Sequence, residues 1–229
     1  MELAKNRAVF RLRFLSVALR RKRKVVIMKK VIYVHGKGGS ADEAEHYKKL
    51  FPQSKVIGFD YKSNTPWAAK EEFARFFSEQ KKDGDRALLI ANSIGAFFSM
   101  MSLSADDVDG ALFISPIVDM ERLITDMMKW AGVTEDELRT EKSIATAFGE
   151  TLSWEYLCYV REHPVGWRVP AHILYGENDS LTSFDTISGF SKKTGAPLAV
   201  MPGGEHWFHT EEQMRFLDRW VKSIMAENR

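Results

Sequence analysis

A doubly wound α/β fold with a mainly parallel sheet is what this 229-residue sequence predicts, and three observations carry the prediction. Six short apolar runs recur between residues 31 and 201, helical patterns separate them, and one long interval breaks the rhythm with helix-like stretches alone. The runs are VIYV (31–34), VIGF (56–59), ALLI (87–90), ALFI (111–114), HILY (172–175) and LAVM (198–201). Each is continuous rather than alternating, which is how strands covered on both faces read. Between them, TPWAAKEEFARFFSEQKK (65–82) and EEQMRFLDRWVKSIM (211–225) have helical periodicity, and the second places Met214, Leu217, Val221 and Met225 on one face.

The long interval lies between Pro116 and Pro170, where DMERLITDMMKWAG (119–132), TEDELRTEKSIATAFGE (134–150) and SWEYLCYVREH (153–163) all read as helix. An insertion after a strand's carboxyl end is well placed to cover a site, because ligands of open α/β sheets bind outside those ends. It is expected to be a helical cap over about residues 117–168, the plainer alternative being two peripheral helices with long connections.

Composition fits one domain over residues 31–229 with a sizeable core, at 45% hydrophobic and 28% charged residues. The single cysteine, Cys158, cannot form an internal disulfide. It reads as a structural helix residue, and the fold is expected to stand on packing in a reducing, cytoplasmic compartment. Charge divides unevenly: residues 1–30 hold eleven Lys and Arg against Glu2 alone, whereas the rest holds 22 basic and 30 acidic residues. An acidic body argues against nucleic-acid binding, which needs clustered positive charge. The basic extension, residues 1–30, is interrupted by Arg11 and Arg13, so it lacks a secretory apolar core and is too short for a membrane span. The favoured reading is that translation starts at Met28. The alternative is membrane-surface contact by an interfacial helix using Phe10, Phe14, Val17 and RRKRK.

The stretch LLIANSIGAFFSMM (88–101) passes from an apolar run to a helical pattern with almost no room for a loop. A sharp strand-to-helix turn at Ala91-Asn92-Ser93-Ile94-Gly95 puts Ser93 at the tip and needs small residues two before and two after it. Ala91 and Gly95 meet that need. The Ile94 N–H then sits at a helix N-terminus, where it can donate to an oxyanion.

A serine nucleophile requires a base and an acid that orients the base. Of six histidines, His206 in PGGEHWF follows the last apolar run and precedes the last helix, and His209 stands in reserve. His35 precedes a glycine loop, and His172 lies within a strand. The acid should come from a strand end: YGENDSLTS after HILY offers Asp179, with Glu177 read as a capping or solvated group and Asp119 as the fallback. The glycine turn in VIYVHGKGGS lets backbone N–H groups approach a substrate oxygen, so the Lys37 N–H, or less favourably that of Gly38, can join Ile94. A phosphate loop does not fit, because no G-x-x-x-x-G-K-[ST] pattern is present.

In these four motifs residues 31–229 resemble a small α/β-hydrolase of the serine esterase kind. HGKGGS resembles the oxyanion loop, ANSIGA the nucleophile elbow with Ala91 in place of the usual glycine, YGENDSLTS the acid turn and GGEHWF the histidine loop. The antiparallel strands that open larger members lack a counterpart unless KVVIM (24–28) supplies one. The resemblance implies acyl transfer to water through an acyl-enzyme, with Ser93 as nucleophile, His206 as base, Asp179 as acid, and Lys37 and Ile94 at the oxyanion hole. No metal or cofactor is expected, since His and Cys show no ligand spacing.

The expected substrate is a short- to medium-chain carboxylic ester. Met127, Met128, Trp130, Phe148, Trp154, Tyr156, Tyr159 and Trp167 of the insertion, with Trp207, are core residues or the walls of an apolar pocket. A thioesterase or amidase with the same triad, a lyase without an acyl-enzyme and a non-catalytic ligand-binding protein are the alternatives.

Overall fold

The computed structural model describes residues 30–81 and 86–227. Most of the basic extension, including KVVIM, lies outside the described residues. All six apolar runs are strands of one sheet: β1 (Lys30–Val34), β2 (Lys55–Phe59), β3 (Ala87–Asn92), β4 (Val108–Ile114), β7 (Ala171–Gly176) and β8 (Leu198–Met201). They are arranged β2-β1-β3-β4-β7-β8, and every neighbouring pair is parallel. Lys30, assigned to the extension from the sequence, opens β1 opposite Lys55.

Both faces of the sheet are covered, as continuous apolar strands require. Ile32, Val34, Leu89, Ala91, Phe113 and Ile173 point to one side, in a core shared with α2 (Pro66–Gln80), α3 (Ser93–Ser102) and α7 (Phe184–Thr194). Tyr33, Leu88, Ile90, Leu112 and Leu174 point to the other, against α1 (Glu45–Lys48) and α8 (Glu211–Glu227). The alternation follows from the two-residue period of a strand. Helix α2 starts where Thr65 caps it, its hydroxyl accepting from the Ala68 N–H, with Pro66 in the first turn.

Between β4 and β7 the chain is not all helix. Helices α4 (Met120–Ala131), α5 (Glu135–Glu141) and α6 (Trp154–Glu162) match expectation at 119–132, at the first half of 134–150 and at 153–163. The second half of 134–150 departs from it. Helix α5 ends at Lys142, whose φ of 64° lies in the left-handed region. β5 (Ser143–Ala145) and β6 (Thr151–Ser153) then form an antiparallel hairpin. Ile144 faces Leu152 across it, and burial of Leu152 in the core with Ile144 packed against it overrides the local helical pattern. Cys158 is half-buried in α6.

Candidate active site

Strand β3 runs into α3 without an intervening residue, and the junction is Ser93. Its φ of 51° is left-handed, a conformation that costs a non-glycine residue about 1–3 kcal/mol. The surroundings hold it there. A Cβ on Gly95 would stand 2.2 Å from the His35 carbonyl oxygen, so only glycine lets the helix approach β1 this closely. The Ile117 N–H donates to the Ser93 carbonyl at 3.3 Å, tying the elbow to the segment after β4.

The loops after β7 and β8 meet Ser93 from the other side. A Cβ on Gly176 would lie 2.4 Å from the Glu205 carbonyl oxygen, so the end of β7 and the histidine loop touch through backbone alone. Glu177 accepts from the Gly203 N–H at 2.8 Å and Gly204 accepts from the Asn178 N–H at 2.7 Å. Glu177 thus fastens the histidine loop.

His206 lies between Ser93 and Asp179. Its Nε2 is 2.8 Å from Ser93 Oγ, and its Nδ1 is 2.7 Å from Asp179 Oδ2. An ionised carboxylate only accepts, so Nδ1 carries the proton and Nε2 presents its lone pair to the serine hydroxyl. The Asp179 side chain is 0% exposed, and its other oxygen accepts from the Leu181 and Thr182 N–H groups at 2.8 and 2.9 Å. A buried carboxylate is stable only with such partners. These two amides were not anticipated from the sequence, although an aspartate that accepts from the amides two and three residues on is a turn that its residue type favours.

The reserve residues do not join this row. Asp119 caps α4, accepting from the Arg122 N–H at 2.9 Å. The exposed His209 ring stacks on Trp207. His172 sits half-buried in β7, where burial lowers its pKa. Among the described residues no group of three or more His, Cys, Asp or Glu is placed to hold a metal ion, and no helix is long and apolar enough to cross a membrane.

Ser93 opens on a cavity of about 620 Å³, within the range of small-molecule sites. Ile94 and the turn Gly36-Lys37-Gly38 line it. Gly36 accepts from the Gly39 N–H at 3.2 Å and Gly38 has a φ of 75°, the type II pattern that favours glycine at its third position. As second residue of α3, Ile94 has an N–H without an intrahelical acceptor. Of the aromatic and Met residues singled out in the insertion, Met127, Trp130, Phe148 and Tyr156 face the cavity, whereas Met128 and Trp167 are buried in the core and Trp154 and Tyr159 pack against that core. Trp130 and Phe148 meet edge to face at 6.3 Å and are both exposed. His35, Tyr61, Lys62, Ser63 and Asn64 also line it, none of which the sequence singled out as lining residues. Their place becomes evident only from the sheet order, which sets the loop after β2 beside that after β1.

No family model matches the chain, and no curated protein matches it. Solved structures do. Est1E from Butyrivibrio proteoclasticus is similar with a TM-score of 0.70 at 17% identity, covering 88% of each chain. Alpha/beta hydrolase domain-containing protein 10 from mouse gives 0.66 at 14% identity, covering 86% of this chain and 90% of that one. The monoacylglycerol lipase of Paleococcus ferrophilus gives 0.61 at 14% identity, covering 87% and 95%. With its parallel sheet, its serine at the turn after β3 and these structural likenesses, the chain has the α/β-hydrolase fold.

Proposed function

We propose that the protein is a serine hydrolase that cleaves carboxylic esters of short to medium chain length. The observation that carries this reading is the continuous hydrogen-bonded row from Ser93 Oγ through His206 to the buried Asp179 carboxylate. In the forward step Ser93 Oγ bonds to the ester carbonyl carbon while His206 Nε2 takes its proton. The carbonyl oxygen becomes an oxyanion facing the Lys37 and Ile94 N–H groups, whose loss would cost roughly 10²- to 10³-fold per donor. The C–O bond then breaks, the alcohol leaves with the proton from His206, and Ser93 holds the acyl group. Water attacks that acyl-enzyme, giving one proton to His206, which returns it to Ser93 as the acid departs. Asp179 keeps the imidazole in the required tautomer and stabilises the imidazolium.

Residues 117–168 are read as a cap of helices and one hairpin, on the ground that α4, the hairpin and α6 supply much of the cavity wall. Apolar side chains from α4 suit an aliphatic chain of an ester and favour no charged group there. Hydrolysis of p-nitrophenyl esters from acetate to palmitate, by wild type and by Ser93→Ala, tests the reading. Wild-type turnover is expected with a maximum at short to medium chains, and Ser93→Ala is expected to lower kcat by roughly 10⁶-fold. Equal rates in both proteins would overturn it.

A further inference from the structure

The cavity changes character across the sheet. Because the order is β2-β1-β3-β4, the carboxyl-end loops line up in that order, with Ser93 between the β1 and β4 loops. At the α4 end the wall is Ile117, Met120, Leu123, Ile124 and Met127. At the β2 end it is polar, yet its charges already have partners. Lys62 pairs with Asp60 at 2.6 Å, and Lys37 pairs with Glu150 of the hairpin turn. The Glu72 carboxylate behind this wall receives the Lys62 N–H and the N–H and hydroxyl of Ser63. The three carboxylates Asp60, Glu150 and Glu72 outnumber the two ammonium groups of Lys37 and Lys62 here, so an anion is not favoured.

Two polar atoms at this end are buried and find no partner among the described residues: His35 Nε2 and Tyr156 Oη. His35 is only 9% exposed, and its ring stacks on Tyr61 at 4.4 Å. The Tyr156 phenol lines the same cavity as Tyr61, and burial keeps it neutral by pushing its pKa up. The His35 Nδ1 is 2.8 Å from the Gly36 carbonyl oxygen. A carbonyl only accepts, so Nδ1 holds a proton, and when the ring carries no second proton Nε2 offers a lone pair. That lone pair needs a donor. An alkyl group has none and a carboxylate or phosphate dianion has none, whereas a hydroxyl can donate to an imidazole and accept from a phenol. A buried polar group left unpaired is costly, so a ligand that pairs them gains specificity.

We infer that the β2 end of the cavity is a subsite for a hydroxyl group that the ester substrate carries beyond its reacting carbonyl, with the aliphatic part toward α4. The inference rests on the ester-hydrolase reading and names its substrate class: an uncharged, hydroxylated aliphatic ester. The hydroxyl can belong to the alcohol or to the acyl part, and both are separable by substrate.

The test compares kcat/KM for ethyl hexanoate, glycerol monohexanoate, ethyl 6-hydroxyhexanoate and the anionic monoethyl adipate, in wild type and Tyr156→Phe. One hydroxylated ester is expected to exceed ethyl hexanoate by about tenfold, the effect of one well-made hydrogen bond, and which one does so identifies the side that carries the hydroxyl. Tyr156→Phe is expected to remove most of that advantage, lowering kcat/KM for the favoured hydroxylated ester more than for ethyl hexanoate. Three outcomes overturn the subsite: hydroxylated esters no better than ethyl hexanoate, the anionic ester best, or equal losses on all substrates in Tyr156→Phe. If wild type turns over none of them, the hydrolase reading fails by itself. Titration calorimetry with the non-hydrolysable 1-O-hexylglycerol and with hexyl ethyl ether then decides the subsite. Tighter binding of the glyceryl ether, lost in Tyr156→Phe, keeps it, and equal binding removes it.

Discussion

The two sides of the cavity are built differently. On one side Ser93, His206 and Asp179 are fixed by backbone approaches at Gly95 and Gly176 and by a carboxylate that is 0% exposed. On the other, the segment between β4 and β7 is held in part by exposed ion pairs and by strands of three residues. Arg161 of α6 reaches Glu121 of α4 at 2.8 Å and both oxygens of Glu135 of α5 at 2.7 and 2.8 Å, and Lys37 reaches Glu150. Exposed pairs of this kind contribute little to stability, because water screens them. Disturbing the buried row removes hydrogen bonds that water cannot replace. We therefore expect the groups that would do chemistry to be the more rigid side, and the wall that would shape the substrate the more adjustable one.

The sharpest break of this contrast is Asp179→Asn. The amide oxygen can still accept from Leu181 and Thr182, so the fold should persist, while the wrong imidazole tautomer is expected to lower kcat by roughly 10⁴-fold. Circular dichroism and ester hydrolysis on one preparation would show both. Next in size is Gly95→Ala. Its Cβ would stand against the His35 carbonyl, so the elbow must shift, and a loss of about 1–3 kcal/mol in denaturant unfolding is expected. A stability equal to wild type would mean that the approach is not rigid.

The smallest effect belongs to the adjustable side. Hydrogen bonds from Arg161 hold the Glu135 carboxyl below its ordinary range in the folded state. Its contribution is thus present above the ordinary glutamate value of about 4.3 and is lost as pH falls through the lowered folded value. Hydrogen-exchange protection of α5 should fall over that acid window in wild type. In Arg161→Lys, which loses the two-pronged contact, the fall should be shallower. The same profile in both would show that the pair does not hold the insertion.

Much of the rigid side was legible before any coordinates. Continuous apolar runs marked all six strands, because a sheet buried on both faces leaves no polar alternation. Ser93, Asp179 and His206 could be picked as the residues just beyond three of those runs. The hairpin at 143–153 was not legible. Three-residue strands such as SIA and TLS are too short to show a period, and Lys142 adopts its left-handed turn without the glycine that would announce it. Helix α7 was passed over as well, since only Ile187 and Phe190 of its residues are buried. The polar end of the cavity was invisible for another reason. Tyr61, Lys62 and Asn64 lie far from Tyr156 in sequence and become neighbours of one site only when β2 takes its place at the edge.

The attachment of the insertion has a consequence for chain entropy. Strands β4 and β7 are adjacent in the sheet, pairing from Ala111 with Ala171 to Ile114 with Leu174, so residues 115 to 170 leave and return at one point. A parallel crossover needs only about a dozen residues. Lengthening it to the span seen here raises the closure cost by little more than 1 kcal/mol, because that cost grows only with the logarithm of length. Segments of quite different length and sequence can therefore be exchanged at this point while the sheet closes nearly as easily, and the choice of substrate can drift without moving the serine.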